Sequence, residues 1–200
     1  MNRLLRRPLV LVCATILAAV TGTTIATAAG VRLNVSASAP EGIWLVSEVN
    51  RPIARGDIVM VCPPRSRLVE SLRDAGEIPA EWGVFGWLGQ RGCAAGTVPF
   101  LKPVVAVAGD TVSVSREGIT VNGQTIRNSR SADFVLGVPA TAVGSSTVAD
   151  DEIWVVSSYA TNSFDSRYFG AVSASEVRRF AHPVWVIGNV TDIHTVEEAH

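Results

Sequence analysis

The chain has 200 residues, about half of them hydrophobic, and a formal net charge of −1 at pH 7. This length suits one domain of about 150 residues plus an additional segment. The nearly neutral charge, without a basic stripe, argues against a nucleic-acid-binding protein.

The additional segment is at the N-terminus, residues 1–30. Three arginines precede an uncharged stretch, residues 8–30, which is long enough for a helix to cross ~30 Å of hydrocarbon. By the positive-inside rule these arginines stay in the cytoplasm, and the rest of the chain lies on the periplasmic or cell-surface side. A cleaved signal peptide is the alternative, because the sequence ATA at 26–28 has the small-x-small form of a cleavage site.

Residues 31–193 are the predicted extracytoplasmic domain, followed by a flexible tail at 194–200. Short β-branched runs separated by Gly, Pro, Asp and Asn predict a mainly β domain, an antiparallel sheet or barrel with one or two short helices. The predicted strands are 43–46, 58–62, 104–107, 111–114, 119–121, 153–156 and 184–190.

Two segments carry helical signals and one carries a hairpin signal. Residues 65–76 place apolar side chains on one face and end at a glycine. Residues 173–181 begin with Ser173, a suitable N-cap, and Glu176 follows at the spacing of a capping box. The Asn-Gly pair at 122–123 predicts a tight hairpin turn.

The three cysteines fall into two classes. Cys13 lies in the apolar N-terminal segment, whereas Cys62 and Cys93 lie in the exported part, where an oxidising compartment lets them pair. Two free buried thiols are the alternative. This pair of cysteines brackets much of residues 76–99, a Gly- and Trp-rich segment that we interpret as a surface insertion. Neither cysteine has a second ligand at metal-binding spacing, so we predict no metal and no other cofactor.

Lys102 is the only lysine in the chain, since the other 16 basic residues are arginine. It lies in the apolar run PFLKPVVAVAG, where burial lowers the pKa of an amine by up to ~3–5 units. Arginine cannot be deprotonated in this way, so it cannot serve as a base. Lys102 is therefore a candidate general base. The alternative is a lysine that extends its amine to the surface or to an interface.

A general base requires a nucleophile, and the sequence offers a serine cluster in NVSASAPEGIW, residues 34–44. Its small residues, proline and glycine predict an exposed, tightly turned backbone just after the membrane segment. A juxtamembrane linker is the alternative. A Ser-His-Asp triad would have to use His182, and nothing around His182 resembles a catalytic turn.

Three blocks in order, SASAPEGIW, LKPVVAVAGDTVSV…GITVNGQTI and NSFDSRYFGAV, resemble the signal peptidase I superfamily of Ser-Lys serine peptidases. The form Ser-x-Pro-x-Gly-x-aromatic of the first block resembles the TraF-type conjugal transfer peptidases most closely. The likeness covers residues 34–188. It implies a signal-peptidase-like β fold behind an N-terminal transmembrane helix.

The resemblance also implies a role for each matching residue. Ser38 would be the nucleophile and Lys102 the general base, and the Ser36 hydroxyl would complete an oxyanion hole with the Ser38 backbone N–H. The supporting residues would be an ion pair between Asp165 and Arg167 and a serine near the lysine, Ser163. The alternative for the DSRYFG sequence is a structural turn before the predicted helix at 173–181.

Two positions depart from the pattern of the family. Ala39 stands where methionine is common, which puts substrate contacts in doubt. Pro103 replaces the usual arginine after the lysine, and because it lacks a backbone donor it fits an edge strand best.

The expected function is therefore that of a membrane-anchored serine endopeptidase that forms an acyl-enzyme and cuts exported precursors, such as pilin-like conjugation components. The resemblance leaves open whether the new end is transferred to water or to an amine. The alternatives are a general type I signal peptidase, a self-cleaving regulator, and a catalytically inactive anchored β module of a secretion or conjugation apparatus. The expected partners are the precursor substrate and the membrane, with no nucleic acid.

Overall fold

The computed structural model describes residues 3–36, 38–80, 92–131, 134–135, 138–139 and 143–190. The predicted tail and the central part of the predicted insertion, residues 81–91, lie outside the described residues. The helices are α1 (Arg3–Ala28), α2 (Arg67–Asp74) and α3 (Ser166–Phe169). The strands are β1 (Val31–Asn34), β2 (Glu41–Ser47), β3 (Ile58–Val61), β4 (Phe100–Ala106), β5 (Thr111–Val114), β6 (Ile119–Val121), β7 (Gln124–Thr125), β8 (Phe134–Val135), β9 (Val138–Pro139), β10 (Gly144–Thr147), β11 (Glu152–Val155), β12 (Val172–Ser173) and β13 (Val177–Ile187).

Within the described residues the strands pair antiparallel in three sheets. The largest has the order β1-β2-β13-β3-β4-β11-β12, the second has the order β10-β5-β6-β7, and β8 pairs with β9. An apolar cluster that includes Val112, Val121 and Trp154 packs the second sheet against β4 and β11. The predicted mainly β, antiparallel fold class with an N-terminal apolar helix is confirmed.

Helix α1 is long and apolar enough to cross a membrane. Its span from Pro8 to Ala28 has 21 residues with a mean hydropathy of 2.2, and none of it is buried against the rest of the protein. The helix end is tied directly to the sheet, because Arg32 Nη1 donates to Thr27 O at 2.8 Å and Val46 N donates to Gly30 O at 2.8 Å. A cation at this end also interacts favourably with the negative end of the helix dipole.

One face of the largest sheet is apolar and exposed beside the end of α1. Strand β2 alternates strictly between buried and more exposed residues. Its outward positions pair in register with β1 and β13, which brings large apolar side chains onto the same face. These side chains are Leu33, Ile43, Leu45, Trp185 and Ile187, of which Leu33, Trp185 and Ile187 are more than 60% exposed.

The predicted helix at 65–76 and the predicted hairpin turn are both confirmed. Helix α2 begins at an N-cap, Ser66, whose side chain accepts from Val69 N, and it buries the predicted apolar face. The hairpin turn joins β6 to β7, with Asn122 at φ 51° and Gly123 at φ 83°. Positive φ at both turn residues matches the twist of the flanking strands, and Asn-Gly tolerates it best.

The predicted helix at 173–181 is wrong. Ser173 does act as an N-cap, accepting from Ser175 N, but only the 3-10 turn Ala174–Glu176 follows. The remaining residues belong to β13, an 11-residue strand that pairs with both β2 and β3. This segment is rich in Val, Phe, Trp and Ile, which favour a strand once two neighbours are available for pairing, and its proline opposes a helix. Tertiary pairing overrides the local capping signal.

Cys62 and Cys93 form a disulfide across 31 residues of chain, as predicted from their compartment. Both half-cystines are buried. Cys13 is free and lies on the exposed surface of α1. The bond therefore joins the residue that follows β3 to the C-terminal part of the predicted insertion.

We expect replacement of both half-cystines, Cys62→Ser with Cys93→Ser, to lower the free energy of unfolding by about 3–4 kcal/mol, because the unfolded chain regains the entropy of an open loop. Urea denaturation with and without a thiol reductant measures this difference. The single variant Cys13→Ser is the matched control and should unfold as the wild type does. Equal stability of the double variant and the wild type would contradict the prediction.

Candidate active site

A cavity of about 310 Å³ lies between β1, the loop that follows β1, and residues 162–164 before α3. Strands β3 and β4 together with Ile78 and Pro79 supply much of its apolar wall. Its polar lining includes Ser36, Ser38, Lys102 and Ser163. The fold thus brings together, from three separate parts of the chain, four of the six residues predicted to form the site.

Lys102 is buried in this wall, with 3% of its surface exposed. Its Nζ donates to Ser163 Oγ at 2.8 Å. Burial lowers the pKa of Lys102 from 10.5 to about 8; the Asp165 carboxylate opposes this shift and the Arg167 guanidinium adds to it. A substantial fraction of this amine is therefore neutral near pH 8 and able to accept a proton.

Asn34 organises the loop that carries Ser38, a role that the sequence did not reveal. Its Nδ2 donates to the carbonyls of Ser36, Ala39 and Pro40 at 3.0–3.2 Å. Its Oδ1 accepts from the backbone N and the Oγ of Ser36. An Asx side chain that bonds to the backbone two residues on is a recognised turn former, and this contact is the one signal the sequence offered.

Three other positions of the SAPEGIW block, Ala39, Gly42 and Trp44, have a structural reason. Trp44 is fully buried and its Nε1 donates to Pro40 O at 3.1 Å, which anchors the end of the turn. Gly42 has φ 140°, and a Cβ atom there would collide with the Trp185 carbonyl of the neighbouring strand. Ala39 is fully buried in the core cluster that contains Trp44, so a methionine there would require repacking.

The hydroxyl groups of Ser36 and Ser38 lie 3.3 Å apart. Ser36 donates its single proton to Asn34 Oδ1 at 2.9 Å, so the Ser38 hydroxyl is the donor between the two serines. In this arrangement Ser38 donates toward Ser36, and Lys102 donates toward Ser163. The two predicted members of the dyad line one cavity, and each makes its side-chain hydrogen bond to another serine.

Asp165 and Arg167 form an ion pair in which both side chains are fully buried. The pair is bidentate, with Arg167 Nε on Oδ1 at 2.8 Å and Nη2 on Oδ2 at 3.0 Å. Arg167 also donates to the carbonyls of Asn128, Thr161 and Ser157. Asp165 accepts from Ser163 Oγ at 2.7 Å, so the ion pair lies directly behind the serine that holds Lys102.

Neither His182 nor Pro103 is among the described residues that line the cavity. His182 is exposed on β13 opposite Leu45. The expectation that Pro103 lies on an edge strand is wrong, because β4 runs between β3 and β11. The proline is tolerated because its register with β11 is irregular there, with its carbonyl accepting from Val156 N just beyond the end of β11.

Comparisons with known proteins identify the family of the chain. The family model described as "Signal peptidase, peptidase S26" matches residues 4–185. The chain belongs to the signal peptidase S26 family. It is 33% identical over 180 residues, 89% of each chain, to a probable conjugal transfer protein TraF of Sinorhizobium fredii. It is 29% identical over 160 residues to a plasmid transfer protein TraF of Escherichia coli, covering 78% of this chain and 83% of that protein.

A signal peptidase I of known structure from Enterococcus faecalis V583 is similar at 19% identity and a TM-score of 0.35, over 65% of this chain and 97% of that one. A superposition of this extent adds no weight to the family assignment, which rests on sequence. Membership of the S26 family supports a serine peptidase at the level of the family.

We expect Asp165→Asn to lower the free energy of unfolding by about 3–5 kcal/mol, because it leaves the buried Arg167 charge without its counter-ion. The matched control is Glu70→Gln, which breaks the exposed pair between Arg65 and Glu70 and should cost at most about 1 kcal/mol. Urea denaturation of both variants measures the difference. If the two substitutions cost the same, the buried pair does not carry the stability assigned to it.

Proposed function

We propose that this chain is a membrane-anchored serine endopeptidase in which Ser38 is the nucleophile and Lys102 is the general base. The observation that supports this most directly is a buried amine and a serine hydroxyl in the wall of one cavity, with the pKa of Lys102 lowered to about 8. A general base is most effective when its pKa lies close to the working pH. Family membership supports the same chemistry.

The reaction begins when a substrate carbonyl enters the cavity and the Ser38 hydroxyl turns from Ser36 toward the neutral Lys102 amine. Lys102 takes the proton, Ser38 Oγ attacks the carbonyl carbon, and the resulting tetrahedral intermediate expels the leaving amine, which takes the proton from Lys102. The acyl-enzyme is then released by a second nucleophile, which the same amine deprotonates. Ser163 keeps the Lys102 amine oriented during both steps.

The oxyanion of the tetrahedral intermediate takes hydrogen bonds from the Ser38 backbone N–H and the Ser36 hydroxyl. Ser36 now donates to Asn34, so it must rotate its proton toward the substrate oxygen when the intermediate forms. One such donor is worth ~2.7–4 kcal/mol in comparable sites. Asn34 thus provides the alternative acceptor for the Ser36 proton before the intermediate forms.

The proposed organisation is an anchor or signal segment, residues 1–30, followed by a peptidase domain, residues 31–193, on the extracytoplasmic side. The arginines before the apolar span and the disulfide between Cys62 and Cys93 both support export. The apolar outward face beside α1 supports a site close to the membrane surface. The proposed substrates are exported precursors such as pilin-like conjugation components, on the strength of the conjugal transfer relatives.

We expect Ser38→Ala to abolish processing of a pilin-like precursor in a membrane-fraction assay, because the nucleophile is lost. We expect Lys102→Arg to lower the rate at least about 100-fold, because a guanidinium cannot accept the proton. Ser145→Ala is the matched control, since Ser145 is an exposed serine on the second sheet whose hydroxyl also makes a hydrogen bond. It should retain full activity.

The outcomes of this assay separate the candidate functions. Normal cleavage by Lys102→Arg would refute the base assignment. If the wild type cleaves neither pilin-like precursors nor ordinary signal-peptide precursors, the anchored interaction module is favoured. Cleavage of ordinary signal-peptide precursors but not of pilin-like ones would favour a general signal peptidase.

The rate of processing should rise with pH and reach half its maximum near the Lys102 pKa of about 8. The sign follows from the chemistry, because only the neutral amine accepts a proton and the neutral fraction grows above the pKa. Rates measured at precursor concentrations well below KM report kcat/KM and thus the pKa of the free enzyme, so a series from about pH 6.5 to 9.5 tests this expectation. A flat or falling profile over that range would contradict it.

A further inference from the structure

Ser157 makes a side-chain hydrogen bond to the main chain of Ser38. It follows β11, and its whole surface is buried. Its Oγ donates to the Ser38 carbonyl at 2.6 Å and accepts from Tyr159 N at 3.2 Å. The contact joins two residues that are 119 positions apart in the sequence.

The backbone of Ser157 is held by both members of the buried ion pair. Its N–H donates to Asp165 Oδ2 at 3.0 Å, and its carbonyl accepts from Arg167 Nη2 at 2.6 Å. Asp165 Oδ2 also accepts from Ser163 Oγ, which in turn accepts from Lys102 Nζ. One carboxylate oxygen is therefore connected to Ser38 through Ser157 and to Lys102 through Ser163.

We propose that Ser157 is a positioning residue that holds the Ser38 main chain in place relative to Lys102, through their common attachment to Asp165. The proposal rests on the proposed function of Ser38 and Lys102. Asn34 fixes the carbonyls of Ala39 and Pro40, and Ser157 fixes the carbonyl of Ser38, which precedes them. Together they determine the direction of the Ser38 Cα–Cβ bond, and so the distance its hydroxyl must cover to reach the amine.

The consequence for catalysis is a defined loss when the Ser157 hydroxyl is removed. Misplacement of a reacting group by about 1 Å can cost about 100-fold in rate. We therefore expect Ser157→Ala to lower kcat by about 10- to 100-fold, with KM unchanged because Ser157 does not line the cavity. The pH of half-maximal activity should stay at the wild-type value, because Lys102 keeps its own hydrogen bond.

The experiment compares wild type, Ser157→Ala, Ser163→Ala and the exposed control Ser145→Ala. Each variant is assayed for kcat, KM and pH profile on the same precursor, and its thermal unfolding is measured. Ser163→Ala should lower the pH of half-maximal activity, because the Lys102 ammonium loses its acceptor. A purely structural role of Ser157 predicts a lower melting temperature with unchanged kcat at temperatures well below it, and that result would overturn the proposal.

A change of the pH midpoint in Ser157→Ala would also overturn it, since the residue would then act on Lys102 and not on Ser38. If Ser157→Ala does not fold, Ser157→Cys keeps a similar side chain with a much weaker donor, and the same loss of kcat is expected.

A further measurement is independent of activity. Amide hydrogen exchange at Ser38 and Ala39 should accelerate in Ser157→Ala and not in Ser145→Ala. Equal processing by wild type and Ser38→Ala would refute the proposed function alone, whereas unchanged exchange in Ser157→Ala would refute the role of Ser157.

Discussion

The buried ion pair between Asp165 and Arg167 is the interaction on which the rest of the site depends. Both charges are removed from water, which is tolerable only because nearly every polar atom of the pair has a partner. Arg167 donates to the carbonyls of Asn128 and Ser157. Asp165 accepts from the hydroxyl of Ser163. The ion pair is therefore connected to Ser38 through Ser157 and to Lys102 through Ser163.

The buried setting of position 102 accounts for a lysine there in place of an arginine. An arginine at position 102 would stay charged in a buried position close to the Arg167 charge, and burial offers it no way to become neutral. A lysine can give up its proton there, and its pKa falls accordingly. The same burial that makes a cation costly at this position suits an amine to the proposed role of general base.

Most of the predictable features were local. The all-arginine background singled out Lys102, Asn-Gly predicted the hairpin, and the SAPEGIW block and its resemblance to a family led to Ser38. The helix predicted at 173–181 failed because its capping residues were real but the following residues pair with two strands that are distant in sequence. Ser157 and Asn34 were missed for a related reason. A serine among many carries no signal until the fold places its hydroxyl against one particular carbonyl, and the one local signal of Asn34 is shared by many turns.

The short connection between α1 and β1 has a consequence for how the domain moves. Only two residues separate the helix from the strand, and Arg32 and Gly30 lock the junction with hydrogen bonds to both sides. A domain on a long linker would tumble freely above its anchor, whereas this one is restricted in height and tilt for as long as the helix remains attached. Ser38 comes just four residues after β1 ends, so its distance from the bilayer is set by the fold. In the proposed peptidase, such a geometry would restrict cleavage to peptide bonds that lie at one distance from the membrane.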